Sequence, residues 1–311
     1  MTNFADRIVA ACQEKNSIVC VGIDPRLEFL PDSLLSAALE KHGHSLEAAS
    51  AAYAEFGHMV IDAVAKYAVA VKVQSAFFEM VGPAGMVACR QVVKHAQAAG
   101  LVAISDVKRS DIGTTAQAYA DGFLGEMTVG DDALLPWGVD AVTVSPYLGS
   151  DGIVPFVNAA KAHHGGLFVL VKTSNKSSGE LQDLVADGRP VYEHVAQWVA
   201  DNAEGLMGTW GYSALGAVVG ATYPEQLRTL RALMPKTLLL IPGYGAQGGG
   251  PAEAKPGLNP DGLGAVVNAS RSIIYAFRDE TWAADNPHAH WTDAVRDAAR
   301  TMRDDLNEVR P

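Results

Sequence analysis

The chain has 311 residues, 49% of them hydrophobic, with 24 Lys and Arg against 35 Asp and Glu, a net charge of −11. That length suits about two average domains or one large α/β barrel. The acidic balance argues against a nucleic-acid or anionic-membrane partner, since both need a basic surface, but it leaves room for a small anionic ligand in a local cationic pocket.

The amino-terminal MTNFADRIVAACQEKNS has acids and a lysine where a signal peptide would run unbroken and apolar, and no uncharged stretch is long enough to span a bilayer. Cys12, Cys20 and Cys89 form no CxxC pair and no metal-ligand spacing, which fits buried, reduced thiols. A soluble cytoplasmic protein is expected. Eight β-rich apolar runs then follow one another: IVCVGI (18–23), YAVAVKV (67–73), LVAISD (101–106), DAVTVS (140–145), LFVLVKT (167–173), ALGAVVGA (214–221), TLLLIP (237–242) and GAVVNAS (264–270). Near-continuous Val/Ile/Leu runs are the mark of strands covered on both faces, and segments of helical character separate them. Eight such alternations predict a single (β/α)8 TIM-barrel domain over residues 1–311. The competing open, doubly wound sheet would carry a Gly-rich turn after its first strand, where DPRLEFLP stands instead.

Three connections are long. Residues 31–66 are Ala-rich and should hold two helices; 121–138 is an insertion of no legible shape. The third, 243–264, has eight glycines and three prolines, so it cannot be helical throughout, and its backbone N–H groups can approach a ligand closely. The tail from residue 282 should end in a charged amphipathic helix on the outside of the barrel.

Polar residues gather where the apolar runs end: Asp24, Lys72, Asp106 with Lys108, Ser145, Thr173 with Ser174, Gln247, and Ser270 with Arg271. In a TIM barrel those ends share one face, where the active site sits. Strand periodicity puts Asp106 and Lys108 on the same side, with Lys72 ending the neighbouring strand. A solvated salt bridge would be the plain alternative. Neighbouring carboxylates favour a charged ammonium, so Lys108 is suited to give a proton to a developing carbanion. A Schiff-base lysine must instead be neutral. After strands seven and eight, the glycine loop with Gln247 and the start of a helix at Arg271 form the place where such barrels bind phosphate. The paired histidines 42/44, 163/164 and 288/290 lie in polar connections and read as exposed side chains rather than ligands.

Asp106, Lys108, Asp111, Ile112 and Thr115 match the pattern D-x-K-x-x-D-I-x-x-T. VGIDPR, VKVQSAFFE, TVSPYLGSD, KTSN, PGYGAQGG and SRSI accompany it in order. In these segments the chain resembles the orotidine 5′-phosphate decarboxylase family over nearly its whole length, and within it the larger subgroup found in mycobacteria and relatives. The resemblance implies decarboxylation of orotidine 5′-monophosphate to uridine 5′-monophosphate, with no metal and no organic cofactor. It further implies a C6 carbanion protonated by Lys108, with Asp106 against the substrate carboxylate. Asp24 and Lys72 would hold the ribose hydroxyls, Thr173 or Ser174 the pyrimidine edge, and Gln247 and Arg271 the phosphate. In a homodimer with shared active sites, Asp111, Ile112 and Thr115 would complete the partner's site. The chain departs from the pattern at Gln74 and Ser145, where relatives carry Asn, and at NKSSG, which replaces a Pro-containing turn. Two other readings are an Mg²⁺-dependent sugar-phosphate decarboxylase or synthase of the same suprafamily and a catalytically silent phosphate-ligand binder. KTSN and AQGG speak against the first, and the intact Asp106, Lys108 and Asp111 against the second.

Overall fold

The computed structural model describes residues 2–245 and 248–311. All eight apolar runs form parallel strands that close into a barrel in sequence order: β1 (Val19–Ile23), β2 (Ala70–Gln74), β3 (Val102–Arg109), β4 (Ala141–Val144), β5 (Gly166–Lys172), β6 (Ser213–Val219), β7 (Thr237–Pro242) and β8 (Ala265–Ala269). Helices between them cover the outer face, while the inward side chains fill the centre, so the strands are buried almost throughout. This is the expected TIM barrel.

Residues 31–66 form the two expected helices, Asp32–His42 and Leu46–Val64. The second begins where the Ser45 hydroxyl accepts the Ala48 N–H at 3.2 Å, and it buries Ala52, Tyr53, Phe56 and Val60 along one stripe. It packs on the helix Gly82–Ala98. The insertion 121–138 contains a small antiparallel hairpin, Met127–Val129 with Asp132–Leu134, whose residues are exposed. Among its described residues the glycine-rich connection holds short turns of helix, Pro251–Ala254 and Lys255–Gly257. The tail ends in the helix Trp291–Val309, which turns Ala294, Val295, Ala299, Met302 and Leu306 inward. Its Trp291 ring stacks on Phe56 at 5.4 Å, and Phe56 stacks in turn on Tyr275 at 5.7 Å.

The amino-terminal helix Phe4–Glu14 closes the bottom of the barrel, at the starts of the strands. Asp6 accepts the backbone N–H groups of Thr209 and Trp210, both at 3.1 Å, and Arg7 pairs with Asp140. The Phe4 ring meets Phe168 edge-on at 5.8 Å and lies over Gly166, where a Cβ would come within 2.2 Å of a ring carbon. Also at this end, buried Arg231 donates to the carbonyls of Met234, Thr237 and Gly264 at 2.9, 2.5 and 3.3 Å. With this end of the barrel closed, the carboxyl-terminal mouth is where the barrel's centre stays open to a ligand.

The three cysteines are free and buried, and burial pushes their thiols up to about 12. Among the described residues, no helix is long and apolar enough to cross a membrane. Gly166→Ala should overpack the sealed end. The urea midpoint is expected to fall by the equivalent of about 1–3 kcal/mol while activity per folded molecule stays unchanged.

Candidate active site

A cavity of about 610 Å³ opens at the carboxyl ends of the strands, lined by Asp24, Lys72, Asp106, Lys108, Thr173, Ser174 and Arg271, among others. These seven and Ser270, all singled out from sequence as polar residues at strand ends, thus meet in one place, drawn from β1, β2, β3, β5 and β8 or the turns that follow them.

The centre of the site is the Asp106 carboxylate, only 6% exposed, with four donors. Its Oδ2 receives Lys72 Nζ at 2.7 Å and Gln74 Nε2 at 2.9 Å; its Oδ1 receives Lys108 Nζ at 2.6 Å and Thr143 Oγ1 at 2.9 Å. Burial by itself would push the carboxyl up. The Lys72 and Lys108 ammonium groups and their hydrogen bonds outweigh it and hold Asp106 well below the usual carboxylate range. Burial likewise works against the Lys72 ammonium, but Asp106 and Asp24 outweigh it and hold Lys72 above its ordinary value. The Lys72–Asp106 pair therefore stays charged through the neutral range. The two lysines differ in access: the Lys72 side chain is 8% exposed and that of Lys108 47%. Lys108 is the ammonium that faces the open space.

Lys108 does not reach the cavity by simple strand alternation. The register between β3 and β4 shifts between Ser105 and Arg109, and Lys108 takes a left-handed backbone with φ of 46°. For a non-glycine residue this costs roughly 1–2 kcal/mol. Thr143 on β4 offsets that cost, because its Oγ1 accepts the N–H groups of Val107 and Lys108 at 3.0 and 2.9 Å while donating to Asp106. One hydroxyl therefore sets both the bulge and the carboxylate. Thr143 escaped the sequence reading, although a polar residue inside the apolar run AVTV is a usable signal. Asn268, inside AVVNA, is another.

At the end of β5, Gln182 grips Thr173 twice, accepting its N–H at 3.0 Å and donating to its hydroxyl at 2.8 Å. The Thr173 hydroxyl donates in turn to Asn175 Oδ1 at 2.7 Å. Lys172 turns away from the cavity. Fully buried, its Nζ donates to Asp183 at 2.6 Å and Ser178 at 3.2 Å and lies 4.6 Å from the centre of the Tyr223 ring. These contacts fasten the connection 173–183 at both ends. On the opposite wall, Arg271 opens the short helix Arg271–Ile274. The loop after β7 presses on that helix at Gly245, where φ is +74° and a Cβ would stand 2.7 Å from Ser272 Oγ.

Other expected residues fall elsewhere. Ser145 does not line the cavity; its N–H is held by the Arg109 carbonyl at 2.9 Å. Asp111, Ile112 and Thr115 also lie outside it, on the surface at the start of the helix Gly113–Phe123, with Ile112 54% exposed. Gln247 lies outside the described residues. Among those residues, no group of three or more His, Cys, Asp or Glu side chains is placed to hold a metal ion.

A family model described as orotidine 5′-phosphate decarboxylase / HUMPS family matches residues 17–285. An orotidine 5′-phosphate decarboxylase of Rhodopirellula baltica is 47% identical over 306 residues, covering 98% of this chain and 99% of its own. Among solved structures, Leishmania donovani OMP decarboxylase superposes with a TM-score of 0.73 at 31% identity, covering 99% of this chain and 98% of its own. Leishmania donovani UMP synthase gives a TM-score of 0.77 at 32% identity, and this chain spans 57% of that longer one. By sequence along its whole length and by the architecture that carries the cavity, the chain belongs to the orotidine 5′-phosphate decarboxylase / HUMPS family, and it is a decarboxylase, a carboxy-lyase.

Proposed function

We propose that this chain converts orotidine 5′-monophosphate to uridine 5′-monophosphate and CO₂ in pyrimidine biosynthesis, without a metal or organic cofactor, as a cytoplasmic enzyme whose residues 1–311 form one catalytic domain. The observation that carries the reading is the Asp106 carboxylate held between two ammonium groups, one of which, Lys108, stands half-exposed in a cavity with Arg271 on its far wall. Arg271 and Gln247 take the phosphate, and Asp24 with Lys72 the ribose hydroxyls. Of the two candidates for the pyrimidine edge, Ser174 is favoured. The Thr173 hydroxyl is already engaged by Gln182 and Asn175, whereas Ser174 lines the cavity with its hydroxyl uncommitted among the described residues.

On this reading the substrate carboxylate sits against Asp106, and like charge in a site of low dielectric disfavours it; relief comes as the C6–carboxylate bond breaks and CO₂ leaves. The bonding pair stays on C6. The Lys108 ammonium delivers a proton to that carbon and is left as the neutral amine, which takes up a proton from solvent before the next turnover. Asp111, Ile112 and Thr115 complete the site of a second copy in a homodimer. Their position outside the cavity, with an apolar side chain exposed at Ile112, supports that assignment.

A spectrophotometric assay of orotidine monophosphate consumption in the presence of EDTA tests the whole reading. Undiminished turnover is expected. Activity that needs added Mg²⁺, or that appears only on sugar phosphates, would overturn it. Lys108→Ala should lower turnover by at least about 10²–10⁴-fold with the circular dichroism spectrum unchanged; wild-type rates would remove Lys108 from proton delivery. Neither Lys108→Ala nor Asp111→Ala protein should be active alone, but equimolar mixing should restore about a quarter of the wild-type rate through hybrid dimers with one intact site. No recovery after confirmed subunit exchange would sink the shared-site arrangement.

A further inference from the structure

The wall of the cavity between β1 and β8 holds polar atoms that the protein itself leaves unused. Asp24 Oδ1, Asn268 Oδ1 and Ser270 Oγ are all buried, and among the described residues no hydrogen-bond donor meets any of them. Asn268 as a whole is only 7% exposed. A buried polar oxygen without a partner costs about 1–3 kcal/mol, so three on one wall call for an explanation beyond stability. All three residues line the cavity, and the register of β8 on β1 sets Asn268 opposite Cys20.

Gly22 makes room for them. It lies two residues before Asp24 and beside Lys72 in the strand register. A Cβ on it would stand 2.8 Å from Ser270 Cβ, 3.3 Å from Ser270 Oγ and 3.4 Å from Asn268 Oδ1. The missing side chain leaves these groups a recess that a ligand can share. The charges around the recess indicate what enters it. Arg271 and the Lys72 ammonium line the same cavity as cations, and with them stand two neutral oxygen acceptors and a carboxylate. Asp24 would repel an anion here, and an apolar group would leave the three oxygens unsatisfied. Neutral hydroxyl donors satisfy them, and a phosphorylated sugar brings hydroxyls for these acceptors together with a phosphate for Arg271.

We infer that Asn268 and Ser270 are substrate-contacting residues that, together with Asp24, recognise the sugar hydroxyls and so determine the preference for a ribonucleotide over its deoxy analogues. This rests on the nucleotide reading of the cavity given above. A site built to pair a hydroxyl discriminates strongly against an analogue that lacks it, because its own buried groups are then left bare.

The test compares binding of UMP, 2′-deoxyUMP and 3′-deoxyUMP by titration calorimetry to the wild-type protein, Asn268→Ala and Ser270→Ala. In the wild type, UMP should bind more tightly than both analogues. In each variant the preference for UMP over at least one analogue should fall roughly tenfold. An unchanged preference in folded variants, with all three nucleotides weakened equally or none weakened, overturns the inference. Should Asn268→Ala fail to fold, Ser270→Ala, altered at the end of β8 rather than within it, decides alone. Wild-type protein that binds no UMP would instead bring down the nucleotide reading itself, and this inference with it.

Discussion

Everything at the open mouth of the barrel is arranged around one buried carboxylate. Asp106 could not stay ionised at 6% exposure without compensation, and the compensation comes from four donors on β2, β3 and β4. Each donor is constrained in return. Lys72 cannot leave without stranding a buried charge, and Lys108 is drawn towards the carboxylate across its own strained backbone. Thr143 ties that backbone to the same oxygen. The polar centre is therefore set in place before any ligand arrives, which is the condition under which fixed charges act on a reaction rather than rearranging during it.

Most of the architecture was legible in the sequence, for a simple reason. Strands buried on both faces must be apolar nearly throughout, and each of the eight apolar runs became a barrel strand. The hairpin within 121–138 was not legible, because its three-residue strands are exposed and carry no buried face to impose a pattern. The positions of Asp24, Lys72, Asp106, Lys108 and Arg271 followed from the rule that polar residues at strand ends share one face. What the rule could not convey was how Lys108 gets there. A bulge is decided by the partner strand, and the hydroxyl that stabilises this one belongs to Thr143, 35 positions away in the chain. Ser145 obeyed the same rule and still missed the cavity, since its backbone pairs with the bulged Arg109. Lys172 sits at a strand end too, yet Asp183, eleven residues further on, turns it into an anchor for the loop.

A net charge of −11 coexists with a cavity in which Lys72, Lys108 and Arg271 all take part. The contrast is informative. An acidic exterior discourages polyanions, while a few cations concentrated in one low-dielectric recess hold a small phosphorylated ligand by local geometry. Within that recess the donors and acceptors are sorted: ammonium groups lie around Asp106, free acceptors along β1 and β8, and an arginine at the rim.

The sealed end of the barrel carries a consequence for how the protein is made. Asp6 closes on Thr209 and Trp210, partners 203 and 204 residues further along the chain, and Phe4 needs Gly166 beneath it. During synthesis on the ribosome, the helix Phe4–Glu14 thus emerges long before its seat does. Its apolar face stays uncovered until the strands it packs on, β5 and β6, have left the exit tunnel, an interval in which a nascent chain of this design depends on being kept from its neighbours.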